Sequence, residues 1–155
     1  MYAIQRIWHA TTRGSLALIL AILLVATGGC RRHPYACVPV SGKVTYEDGS
    51  LIPAEKIRLV FISQAPPDDP KVPPRDGAAI VDVKTGTFDF ARTFAAKDGI
   101  IAGEHKVLVQ CFAGHEARRD LVSSQYDDRN NTPLKVNTSQ SPFELKVRKP
   151  EPDSQ

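Results

Sequence analysis

The chain has 155 residues, with 20 basic and 17 acidic side chains and a formal net charge of +3. That length suits one domain with one core, and with charge so nearly balanced the sequence shows no strongly basic stretch of the kind a nucleic-acid binder presents. Twelve prolines and ten glycines favour turns and short strands over long helices.

The first element is an export signal. Arg6, His9 and Arg13 precede an apolar run from Leu16 to Ala26, with no acid among them. A stable membrane span needs about 20 apolar residues, and this run is shorter. The basic end is expected to stay in the cytoplasm and Cys30 to emerge on the far side. Thr27, Gly28 and Gly29 supply the small site that a signal peptidase needs. Gly28-Gly29-Cys30 resembles the lipobox of bacterial lipoproteins, with Thr27 where Leu is usual. The resemblance implies cleavage before Cys30, a diacylglyceryl group on its sulfur and a fatty acyl chain, such as palmitate, on its amine. Two or more chains make a stable anchor where one is marginal. The other reading is ordinary secretion, with Cys30 a structural thiol. Arg31 and Arg32 follow, with no Asp of the kind associated with inner-membrane retention, so the choice of membrane stays open. Taking 29 residues from 155 leaves 126, and removing Arg6 and Arg13 leaves the mature part close to neutral.

Residues 30–37 read as a tether. If Cys30 is lipidated, Cys37 and Cys111 remain. They form either a disulfide, in an oxidising compartment, or two separate thiols, with Cys111 filling a core position. From Val38 to Glu47 apolar and polar residues alternate, which is a strand with one buried face, closed by the turn dipeptide Asp48-Gly49. Lys56 to Ser63 is a second strand, apolar on both faces and therefore central. Five prolines between Gln64 and Asp76 impose a loop, where Asp68 and Asp69 read as solvated acids. Gly77 to Val83 and Thr87 to Arg92, joined by Lys84-Thr85-Gly86, read as a hairpin. Ile100 to Ala102 reads as a short connection and Glu104 to Phe112 as a strong strand. Ala113 to Thr132 is long and polar, with a helical turn expected near Arg118 to Ser124. Short strands are expected at Pro133 to Val136 and Ser141 to Arg148, and a disordered tail at residues 149–155.

About seven short strands and no long helix point to an all-β protein, a single seven-stranded sandwich over residues 38–148. Val40-Ser-Gly-Lys-Val-Thr-Tyr-Glu-Asp-Gly49, with Leu51 to Pro53 after it, resembles the opening of carboxypeptidase-regulatory-like, or transthyretin-like, domains. Thr85-Gly-Thr-Phe-Asp-Phe90 resembles their hairpin, and Lys97-Asp-Gly through Val109 their x-D-G-x-x-x-G-x-Y-x-V-x-V segment, with His105 at the usual Tyr. Gln125-Tyr126 and Thr132-Pro133-Leu134 resemble the closing region of small bacterial lipoproteins built on this domain. The resemblance implies an Ig-like sandwich that serves as an accessory or binding module, and says little about a ligand.

No chemistry stands out. No nucleophile elbow, zinc-protease helix or C-x-x-C is present, and no phosphate-cradling glycine loop. His105 and Cys111, six residues apart on a strand, lie roughly 20 Å from each other and cannot share an ion. Cys111 and His115 are closer and could hold a soft metal such as copper; the plainer reading is a core cysteine and a solvated histidine. Asp127 to Asn131 offers oxygen ligands without the spacing of a calcium loop. Tyr126 and the loop around it could belong to a binding surface. The expected protein is therefore a non-enzymatic module of the cell envelope, without a cofactor. It would be anchored by lipid to a membrane, face the periplasm or exterior, and bind an envelope protein or glycan but no nucleic acid. The alternative is a periplasmic protein binding a small ligand or a copper-type metal through Cys111 and His115.

Overall fold

In the computed structural model the described residues are 34–117 and 120–150. They belong to one compact unit, and it is all-β. Ten strands are described: β1 (Cys37–Val38), β2 (Gly42–Tyr46), β3 (Lys56–Ser63), β4 (Gly77–Val81), β5 (Thr87–Phe88), β6 (Ile100–Ile101), β7 (Glu104–Ala113), β8 (Glu116–Ala117), β9 (Lys135–Asn137) and β10 (Phe143–Val147). Single turns of 3-10 helix occupy Ser124–Asp127 and Thr138–Gln140.

The larger sheet is built on β3 and β7. They pair antiparallel over eight positions, from Lys56 opposite Phe112 to Ser63 opposite His105. β4 lies on the far side of β3, while β9 and β8 share the far side of β7. The smaller sheet runs β10–β2–β5, with β10 parallel to β2. The β4 hairpin joins the two: its return segment pairs with β4 at Ala78–Arg92 and Asp82–Thr87, while Phe88 and Thr87 also pair with Gly42 and Lys43 of β2.

Alternation along each strand turns one apolar set inward. Ile57, Leu59 and Phe61 of β3, Val107, Val109 and Cys111 of β7, and Val44, Phe88, Phe143, Leu145 and Val147 from the smaller sheet form one core. Phe61 is fully buried, and its ring stands 6.0 Å from that of Phe88 and 6.1 Å from that of Phe143, which ties the sheets together. Val60, Ile62 and Leu108 make a second, smaller cluster on the opposite face of the larger sheet. β3 therefore buries apolar groups on both faces, as its sequence demands.

Several expectations are corrected. The first strand is not continuous from Val38: Pro39, which has no N–H to give a ladder, separates β1 from β2, and β1 pairs with β6 instead. Ile100 to Ala102 is thus not merely a connection. Attachment to the domain begins inside the stretch read as a tether, because Tyr35 Oη donates to Pro66 O and accepts from Asp68 N, and Ala36 O accepts from Ala102 N. The helical turn of the long loop falls at Ser124–Asp127 rather than near 118–124. At the start of the tail, Lys149 is held by Asp48 at 2.7 Å.

Gly42 shows why the opening motif has glycine at its centre. A Cβ there would meet the backbone of Phe143, 2.5 Å from its carbonyl oxygen. We expect Gly42→Ala to destabilise the domain by about 1–3 kcal/mol through strain at the β2–β10 pairing. Phe61→Ala is expected to cost about 3–5 kcal/mol through the cavity it leaves. Urea midpoints measure both.

Candidate functional site

Cys30, the expected lipid attachment point, lies outside the described residues. The other three candidate residues can be placed. Cys111 is on the inner face of β7 opposite Ile57 and is 3% exposed. Cys37 is half-buried in β1 opposite Ile101. Both are free thiols, so the candidate disulfide is not formed. The reason is geometric. Cys37 faces Ile101, three residues before β7 begins, and about 23 Å of extended strand separates Glu104 from Cys111, whereas a disulfide needs Cα atoms within about 7 Å.

The candidate metal pair fares no better. His115 is exposed in the turn between β7 and β8, while Cys111 is turned into the core. Burial pushes the Cys111 thiol up to about 11, with the Asp127 and Asp120 carboxylates adding to it, and a thiol must lose its proton to bind metal. Among the described residues no group of three or more His, Cys, Asp or Glu is placed to hold an ion.

What the structure does assemble is a strap. The segment after Leu121, expected to be irregular, is pinned at every few residues. Tyr126 is buried, and its hydroxyl accepts from Arg148 N at 3.2 Å. Asp127 accepts from Gln110 Nε2 at 2.9 Å, which ties the segment to the outer face of β7. The Asp128 carboxylate accepts from Asn130 N at 2.8 Å and Asn131 Nδ2 at 2.6 Å, and the Asn130 N–H leads the causes that hold its pKa below the usual range. Thr132 Oγ1 donates to Val107 O at 2.6 Å. Arg129 reaches Asp76, with both guanidinium nitrogens engaged at 2.6 and 3.0 Å. Beneath the strap a cleft of about 470 Å³ is lined by Val109, Gln110, Phe112, Val122, Ser124 and Asp128, among others. It has apolar walls and polar groups at its rim, the general pattern of a small-ligand cleft. Among its lining groups Gln110 bonds Asp127, Asp128 bonds Asn130 and Asn131, and Arg129 bonds Asp76.

Two features escape sequence reading. The Asp76–Arg129 pair joins residues 53 positions apart, and no local pattern announces it. His105 is 1% exposed and stands edge-on to Phe61 at 6.3 Å. Its Nε2 lies 2.7 Å from Ile101 O. A carbonyl only accepts, so Nε2 carries the proton and donates. Nδ1 then carries a lone pair, buried and without a partner among the described residues.

Compared with family models, with curated proteins and with solved structures, the chain matches none.

Two outcomes follow from these side chains. Burial lowers the His105 pKa, with its hydrogen bond to the Ile101 carbonyl opposing. The unfolded chain, with an imidazole pKa of about 6.5, therefore takes up this proton at a higher pH than the folded one does. Its contribution to stability is complete above that pH and is lost as pH falls from there towards the lower folded value. Urea midpoints should drop across that window in the wild type and drop less in His105→Phe. Thiol alkylation at pH 8, followed by peptide mass, should modify Cys37 at least about a hundredfold faster than Cys111 in the folded protein, and both alike in denaturant.

Proposed function

We propose that this chain is a lipid-anchored protein of the cell envelope, and that its domain is a transthyretin-like β-sandwich acting as a non-catalytic binding or structural module. The observation that carries the reading is the order of residues from Arg6 to Cys30: basic, apolar, small, cysteine. A run too short to span, ending at Gly28-Gly29-Cys30, fits cleavage and acylation better than a permanent membrane helix.

The sandwich reading is supported by the two sheets sharing one core through Phe61, Phe88 and Phe143. Support for binding rather than catalysis comes from how the polar groups of the strap are used. Gln110 with Asp127, Asp128 with Asn130 and Asn131, and Arg129 with Asp76 hold the segment in shape. A loop fixed in this way on a rigid β frame is a usual carrier of recognition, and an envelope protein or glycan is the partner class that the location implies.

The test is to produce the chain and its Cys30→Ala variant in a bacterial host and separate membranes from soluble fractions. The wild type should sediment with membranes, resist high salt and partition into detergent. The variant should lose the lipid-dependent mobility shift and remain as the uncleaved precursor. Equal processing and equal partition of the two would overturn the anchor.

A further inference from the structure

The outer face of the larger sheet carries a cluster of cations that nothing in the fold uses. Arg58 on β3 lies directly opposite Ile80 on β4. Ala78, two residues before Ile80, pairs with Arg92 through two backbone hydrogen bonds of 2.8 and 2.9 Å. Arg92 and Arg58 therefore flank the small Ala78 on one face. Together with Arg75 they line a cleft of about 310 Å³, floored and walled by Ala78, Ala95 and Ala96. All three arginines are exposed, and none has a carboxylate partner among the described residues. The one carboxylate lining the cleft, Asp76, is clamped by Arg129. Nearby Asp98 is engaged by the backbone N–H groups of Thr93, Phe94 and Ala95 at 2.7, 2.8 and 2.9 Å.

Apolar side chains continue the same face. Phe90 lies two residues before Arg92, and Phe90 and Ile80 are 49% and 54% exposed, unusual for residues of this size. Lys97 Nζ stands 4.7 Å above the Phe90 ring. Arg58 thus sits opposite the exposed Ile80, and Lys97 covers the exposed Phe90. That combination fits an anionic bilayer surface, where basic groups meet headgroup phosphates and apolar groups enter the acyl boundary.

The position of the chain entry points the same way. Thr93, which lines the cleft, and Asp98 both lie close enough to the Cys37 thiol to shift its pKa. Six residues lie between Cys30 and Cys37, seven steps with a reach of about 25 Å at most. We propose that Arg58, Arg75, Arg92 and Lys97, with Ile80 and Phe90, dock the domain onto phosphate headgroups of an anionic membrane. The closeness to lipid rests on the anchor at Cys30, while the face itself does not. A docked domain presents its opposite end to the envelope space, rather than swinging freely on its tether.

The experiment is flotation of the full chain with two kinds of vesicle, phosphatidylcholine alone and phosphatidylcholine with about one-third phosphatidylglycerol. Each floated sample is treated with phenylglyoxal, and arginine modification is read by peptide mass. Flotation with both vesicles is expected. Arg58, Arg75 and Arg92 should be protected only on the anionic ones, with protection lost in high salt. Arg148, exposed elsewhere, should react equally on both. Arg58→Gln with Arg92→Gln should remove the difference in Arg75 protection between the two vesicles, since each basic residue near the surface is worth about fivefold in binding. Its urea midpoint should be unchanged, since neither side chain has a partner. Flotation with both vesicles but equal arginine labelling would overturn the docking and leave the anchor. Flotation only with anionic vesicles, released by salt, would uphold the docking and remove the anchor. No flotation with either would remove both.

Discussion

β3 and β7 hold each other over eight consecutive residue pairs, and the position of nearly every other element follows from that ladder. Side chains alternate along a strand, so a slip of one residue would turn Ile57, Leu59 and Phe61 out of the core and bring Arg58 into it. With the register in place, Phe61 projects from the larger sheet between Phe88 and Phe143 of the smaller one. Strands β2 and β10 are then brought side by side, parallel, across about a hundred residues of chain. Deep burial of Val107 and Val109 leaves β7 no freedom to shift, and its far edge accepts β9 and β8.

The same ladder also orders the outer face. It sets Val60 beside Leu108 and places Lys106 and Gln110 where the segment from Asp127 to Asn131 is fastened. Arg129 then spans to Asp76, beside the start of β4, so one side chain bonds the loop after β8 to the loop before β4. That clamp has a second consequence: it engages the only carboxylate lining the Arg58–Arg75–Arg92 cleft and leaves its three guanidinium groups uncompensated. Like charges gathered on one face weaken a fold slightly unless something outside supplies the opposite sign. The proposed headgroup phosphates would do so.

Local patterns made much of the β framework legible. The alternation from Val40 to Tyr46, from Gly77 to Val81 and from Phe143 to Val147 marks strands whose inner faces are buried as expected. The unbroken apolar character of Ile57 to Ile62 marks the central strand. What escaped depends on residues distant in sequence. β1 and β6 are two residues each, too short for any period to register, and exist because each completes the other. The strap was read as irregular because its order comes from Asp127, Arg129 and Thr132 meeting Gln110, Asp76 and Val107, none of them neighbours in the chain. The candidate site divides in the same way. The order of residues up to Cys30 is legible from sequence. The arginine face is not, since its members come from three separate segments and acquire meaning only through the pairing of β3, β4 and the return of the hairpin.

The proposed anchor would give the domain its place and the basic face its membrane. Its most direct measurement is the mass of the N-terminal peptide of the mature protein, isolated from the membranes of cells that make it. A peptide beginning at Cys30 and carrying a diacylglyceryl group on sulfur, with an acyl chain on its amine, is the expected result. A peptide beginning at an unmodified Cys30, or one that still includes residues before it, would contradict the lipid anchor and return the chain to the secreted or signal-anchored proteins.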